Sequence, residues 1–234
     1  MREPARIDFE GVARYPLRTG APTRFRAMPI EFTVSAFVTL VVVVDPVGLA
    51  PAFLAVTHDL PERAKRQVAL RASVIAAAIL AGTALIGEWL LSALAIGIPA
   101  FRIAGGLLLF SIASEMVFGV RTERQSRAAE QAVEERVRNI AAFPLAIPLM
   151  AGPGAITATV LLSAQAGGRP ASLAILLGTI VVVCALTGIV FVAAGWIGRV
   201  LGITGNIVLS RLLGVILAAL AVQFVIDGVR AVLA

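Results

Sequence analysis

Val44-Asp45-Pro46-Val47-Gly48-Leu49-Ala50-Pro51 interrupts an apolar run that extends from about Phe32 to Thr57. About 20 apolar residues suffice to cross a bilayer as a helix. This run is long enough, yet it carries a carboxylate, two prolines and a glycine at its centre. Proline removes a backbone donor and breaks the helix around it. In hydrocarbon a freed carbonyl has no water to accept from. Such a break therefore belongs inside protein or beside a cavity. A second interruption, Ala151-Gly152-Pro153-Gly154, lies within another apolar run. Paired Pro/Gly breaks in corresponding places of two halves point to the binding site of a transporter.

The composition agrees with a bilayer. Of 234 residues, 59% are hydrophobic and 15% charged, whereas soluble domains carry about 25% charged residues. The apolar runs are continuous, as in Ile75 to Leu85 and Leu173 to Val183, which excludes the alternation of a membrane barrel. The chain is expected to be an all-α polytopic membrane protein. The net charge of +6 does not indicate nucleic acid, because six of 20 basic residues precede Met28 and most others flank apolar runs. One histidine, His58, and one cysteine, Cys184, exclude an internal disulfide and argue against a zinc site. No cofactor motif is present, and no nucleophile cluster at membrane depth suggests an enzyme.

Six spans are expected: about Phe32–Thr57, Val68–Ala95, Phe101–Val120, Ile140–Ser163, Leu173–Trp196 and Ile207–Asp227, the first and fourth broken. Residues 1–27 are a polar extension without the apolar core of a signal peptide. They are read either as a disordered tail or as a piece upstream of a working start at Met28. Residues 121–139, with five arginines and four glutamates, are expected to be a solvated, partly helical linker. Glu130/Glu134 and Glu134/Arg138 stand at helical spacing there.

The two halves repeat. Arg102–Arg121 aligns without gaps on Arg211–Arg230 at an offset of 109, with Arg102/Arg211, Gly105/Gly214, Leu108/Leu217, Gly119/Gly228, Val120/Val229 and Arg121/Arg230 identical. Three spans per copy place the copies in opposite directions, an inverted repeat. Residues 28–120 form one copy and 140–234 the other. Loop charge then puts both termini outside and 121–139 in the cytoplasm.

Each break reads as a helix restart. Asp45 suits an N-cap and Pro46 the first helical position; Gly152 and Pro153 take the same places in the second copy. Capping alone would account for Asp45. A charge at membrane depth is, however, costly enough to be functional by default. Inverted copies would point two helix N-termini at each other, each carrying about half a positive charge. Gly48 and Gly154 would let a ligand approach the backbone closely, with the backbone of Val47 beside them. Thr157 and Thr159 would add hydroxyls. Such a site suits a carboxylate, and Asp45 an ammonium or a coupling cation. Glu115 and Asp227, the latter four residues after Gln223, are candidates for proton or ion coupling, or else form ion pairs with Arg121 and Arg230 at the membrane interface.

Asp45-Pro46-Val47-Gly48, Arg102-Ile103-Ala104-Gly105-Gly106, Pro144-Leu145-Ala146-Ile147-Pro148-Leu149-Met150-Ala151-Gly152-Pro153-Gly154-Ala155-Ile156, and Ala221-Val222-Gln223 with Asp227-Gly228 resemble the MarC family of bacterial inner-membrane proteins. The similarity covers about Phe32 to Val229. Some members resemble transporters of small neutral amino acids. Many carry Asn where this chain has Asp45, so the break here gains an ionisable group. The resemblance implies an inner-membrane secondary transporter of a small neutral or zwitterionic solute, such as an amino acid, coupled to H+ or Na+. A homo-oligomer is compatible with it. A passive pore and a non-transporting scaffold or stress component are the alternatives.

Overall fold

The computed structural model describes residues 29–121, 124, 125, 127 and 140–233. The extension 1–27 and the spacing pairs Glu130/Glu134 and Glu134/Arg138 lie outside the described residues. Among the described residues every element is helical. Four helices come first: α1 (Pro29–Val44), α2 (Ala50–Val56), α3 (Glu62–Ala93) and α4 (Ile98–Phe118). A proline segment, Ala141–Met150, follows. It leads to α5 (Pro153–Ala166), α6 (Pro170–Val192) and α7 (Ala194–Leu233), which is broken at Gly202. Proline stands in the first turn of α2, α4, α5 and α6, where a missing N–H costs nothing. Gly119 and Gly167, left-handed with φ of 82° and 60°, close α4 and α5.

Among the described residues four helices are long and apolar enough to cross a membrane: α3, α4, α6 and the Thr204–Leu233 part of α7. The proline segment and α5, bent by 58°, together make a fifth. The expected sixth span starts earlier than its hydropathy suggested, because α7 continues upstream through the Gly202 break. The expected first span is divided. The 16 residues of α1 reach about 24 Å at 1.5 Å per residue, short of a ~30 Å hydrocarbon core. The chain then turns, and the seven residues of α2 run separately.

That turn is set by Asp45, whose φ of 55° is left-handed, a conformation Asp tolerates better than most residues. Three carbonyls at the end of α1 lose their helical partners. Pro46 has no N–H for Val42. The Gly48 N–H is diverted from Val44 and donates to Asp45 Oδ1 at 3.0 Å. The carbonyl of Val43 accepts instead from Arg121 Nη2 at 2.7 Å, across 78 residues of sequence. The second oxygen of Asp45 accepts from Ser210 Oγ of α7 at 3.3 Å. Asp45 accepts from the N–H three residues on, as an N-cap would, but the expected restart with Asp45 as N-cap and Pro46 at the first helical position does not form. The regular helix begins only at Ala50, with Leu49 as its N-cap and no side-chain cap, because the left-handed Asp45 turns the chain first. Phe53 anchors α2 by stacking on Phe191 of α6, with centroids 4.6 Å apart.

The centre of the bundle is α5. Eleven of its 14 residues are buried, and α1, α3, α4 and α6 all pack on it. Lipid tails are as apolar as leucine, so close backbone packing and hydrogen bonds hold such a helix in place. Gly87 of α3 makes room for Val160, and Gly105 of α4 for Thr157 and Leu161. Ser163 Oγ donates to the Ala84 carbonyl of α3 at 2.7 Å. The most extensive helix pair is α4 with α7. Pro99, Arg102 and Ile103 lie against Gly228, Gly106 against Ala221 and Val225, and Ala113, Met116 and Val117 against Gly214. The two helices therefore run antiparallel.

Two outcomes test this packing. A β-carbon on Gly106 would sit 2.7 Å from the Ala221 carbonyl oxygen, so Gly106→Ala should destabilise the protein by about 1–3 kcal/mol. Gly82→Ala, where nothing lies within 4 Å, should raise stability by up to about 1 kcal/mol. Thermal unfolding in detergent reads both. At the first break, a β-carbon on Gly48 would overlap the Asp45 carboxylate. Gly48→Ala should therefore cost about 1–3 kcal/mol in the native background and markedly less when Asp45 is already Ala. An equal cost in both backgrounds would remove the carboxylate as the reason for glycine.

Candidate functional site

A cavity of about 260 Å³ lies where the end of α1, the middle of α4 and the second break meet. Val43, Ile112, Leu149 and Met150 give it an apolar side; Arg121, Arg124 and Gln125 give it a polar side. Its floor is the start of α5, at Gly152, Pro153, Gly154 and Ala155.

The second break is built by the prolines. Phe143 and Ile147, each before a proline, are extended, with φ of −134° and −126°, as the pre-proline clash requires. The segment winds wider than an α-helix, and the Ala151 N–H reaches back five residues to the Ala146 carbonyl at 2.8 Å. Gly152 then takes an extended conformation as N-cap, without a side-chain cap, and Pro153 opens α5. These are the places expected for both residues. A β-carbon on Gly152 would collide with the Pro148 carbonyl, and one on Gly154 would come 2.5 Å from Ile112 of α4. The uncapped N–H groups at the start of α5 carry the positive end of a helix dipole.

Arg121 closes the opposite side. It is 8% exposed. Its Nη2 holds the Val43 carbonyl and its Nη1 donates to Met116 Sδ at 3.1 Å. Asp45 is near enough to feel this charge, but no carboxylate lies within ion-pair distance of Arg121 among the described residues. Arg124 is different: it faces Glu115, with Nη1 2.8 Å from Oε1 and Nη2 2.7 Å from Oε2. Gln125 is 6% exposed and lines the cavity. Its side chain makes no hydrogen bond among the described residues.

Several expectations change here. Gly152, Pro153 and Gly154 border the cavity, but the first break contributes Val43 rather than Asp45, Pro46, Val47 or Gly48. Asp45 lies behind that wall, with both oxygens engaged. The helix N-termini do not face one another. The left-handed turn at Asp45 sends α2 against α6 and α7, so the cavity lies between the C-terminal end of α1 and the N-terminal end of α5. Thr157 turns its methyl to Gly105, and Thr159 donates back to its own helix, to the Ala155 carbonyl at 2.7 Å. Glu115 pairs with Arg124 rather than Arg121. Asp227 accepts from exposed Gln223 at 2.8 Å, and neither borders the cavity. Arg121 and Gln125 belong to the stretch expected to be a solvated linker, and both are buried. The sequence signal for Arg121 was its identity with Arg230 in the repeat; Gln125 had none.

Residues 30–233 match the family described as MarC family integral membrane protein. A UPF0056 membrane protein of Archaeoglobus fulgidus is 36% identical over 200 residues, covering 85% of this chain and 92% of that one. A UPF0056 membrane protein of Methanocaldococcus jannaschii is 34% identical over 206 residues, covering 88% and 100%. The UPF0056 membrane protein YhcE of Escherichia coli is 35% identical over 212 residues, covering 89% and 95%. No solved structure matches the fold. With the apolar helices described above, the match over nearly the whole described chain shows that this protein belongs to the MarC family of integral membrane proteins.

Proposed function

We propose that this protein is a secondary carrier for a small solute without net charge, of amino-acid size, which binds in the cavity between α1 and the second break. The observation that carries this reading is the cavity itself. It is about 260 Å³, lies at two interrupted helices, and is walled by one apolar and one polar side. Irregular backbone at membrane depth is tolerated where it lines such a cavity. Among the described residues, the charges that act on Arg121 are Arg124, Asp45 and Glu115, so with Arg121 itself the two signs are equal in number. A neutral or zwitterionic solute leaves that balance unaltered, whereas an ion would need a companion.

Six spans in two inverted copies accompany this reading, α1 with α2 forming the first. Support comes from the α4–α7 contacts. In the 109-residue register Val225 answers to Met116 and Gly106 to Val215. The contact of Gly106 with Val225 is thus mirrored, within one position, by that of Gly214 with Met116. We place the protein in the cytoplasmic membrane with both termini outside and the 121–139 segment inside, on the loop charges. The coupling ion is H+ or Na+, and Asp45 is its site, being the ionisable group behind the cavity wall.

Counterflow in vesicles tests the carrier. Labelled L-alanine should accumulate against an excess of unlabelled L-alanine inside. Equilibration without that overshoot would indicate a pore, and no flux would leave a scaffold. Asp45→Asn keeps an oxygen for the Gly48 N–H, so the fold should survive. Exchange should persist in this variant while its pH or sodium dependence flattens. An unaltered ion dependence would reduce Asp45 to a capping residue.

A further inference from the structure

We infer that Gln125 and Arg121 form a carboxylate-binding subsite, and that the carboxylate of a small amino acid is the group the cavity recognises. This deepens the carrier reading and rests on it for the choice of cavity. Gln125 supplies the first observation. A side-chain amide that is not bonded within the protein keeps its donors and acceptor for a ligand. More than nine-tenths of Gln125 is buried, it borders the cavity, and among the described residues its amide has no hydrogen-bond partner. Arg121 supplies the second. A guanidinium has five N–H donors, and two are used here, on the Val43 carbonyl and the Met116 sulfur. The remaining donors belong to a buried cation that also lines the cavity. The third element is the start of α5, whose uncapped N–H groups lie across the same space.

These three donor sets suit one planar anionic group. Arg matches carboxylate geometry, and its charge-assisted bonds are about twice as strong as neutral ones. Asp45 does not serve as the partner for the solute's ammonium, since it lies behind the cavity wall and does not border the cavity. The amide of Gln125 offers an acceptor as well as donors, so it can meet both ends of a zwitterion. The hydrocarbon body then lies against Ile112 and Met150.

The test uses the purified full chain, with thermal midpoints read from Trp89 and Trp196 fluorescence and three probes at matched ionic strength. L-Alanine and propionate share the carboxylate; L-alaninamide lacks it. L-Alanine should raise the midpoint, propionate should raise it less, and alaninamide should leave it in place. Gln125→Glu puts a like charge beside the carboxylate and should weaken L-alanine at least tenfold. Gln125→Met, close in volume and without the amide, serves if the glutamate variant does not fold, and should weaken L-alanine severalfold. Stabilisation by alaninamide equal to that by L-alanine, or an unaltered L-alanine response in the folded Gln125 variant, would overturn the subsite. The two readings fail separately. Carboxylate-dependent binding without counterflow removes the carrier and keeps the subsite, whereas counterflow of alaninamide as fast as L-alanine keeps the carrier and removes the subsite.

Discussion

The hydrogen bond from Arg121 to the Val43 carbonyl is the constraint on which the first half of the structure depends. An orphaned carbonyl away from water costs about as much as a lost hydrogen bond. Pro46 and the left-handed Asp45 free three of them at once. One is answered from residue 121. That bond fixes where the chain leaves α4, because the guanidinium must reach the end of α1. The same bond places Arg124 and Gln125 over the second break. The polar wall of the cavity is thus a by-product of closing a helix end.

The second half depends on close approach rather than on charge. Gly152 lies under the Pro148 carbonyl, Gly154 under Ile112, and Gly106 and Gly214 in the α4–α7 contact. At each of these positions a methyl group would have to displace its neighbour. Serine and threonine hydroxyls add local fixing. Thr159 and Thr187 bond their own helices, and Ser163 bonds across to α3. Breaks and glycines therefore work together, since the interrupted segments can be central only if their neighbours come within backbone distance.

Much of this was legible from local chemistry. The helices, their proline starts and both breaks follow from residues acting over a few positions, as do the N-cap at Gly152 and the first-turn place of Pro153. What was not legible depends on contacts distant in sequence. Arg121 and Gln125 sit in a stretch with five arginines and four glutamates, and such a stretch is ordinarily solvated. Nothing within it signals that two of its members turn inward, Arg121 to a carbonyl 78 residues away and Gln125 to the cavity. The direction of α2 was missed for a different reason. Symmetry suggested facing helix starts, but a positive φ at one aspartate redirects the chain, and Phe53 then secures it on Phe191. Pairing Glu115 with Arg121 failed because Arg121 was already committed, leaving Arg124 for the carboxylate.

The burial of α5 bears on how the chain is made. A lipid-facing helix such as α6 can enter the bilayer alone, since hydrocarbon is a good solvent for its side chains. α5 carries Thr157, Thr159, Ser163 and Gln165 within 14 residues, and it begins behind a stretch of non-helical proline backbone. For such a segment bare hydrocarbon is a poor solvent, and its proper solvent is the surface presented by α1, α3 and α4. Those three precede it in the chain, so during synthesis its binding partners exist before it does. Its place among them is therefore a docking of protein surfaces rather than a contact with lipid. The order of the segments along the chain is what makes that docking available.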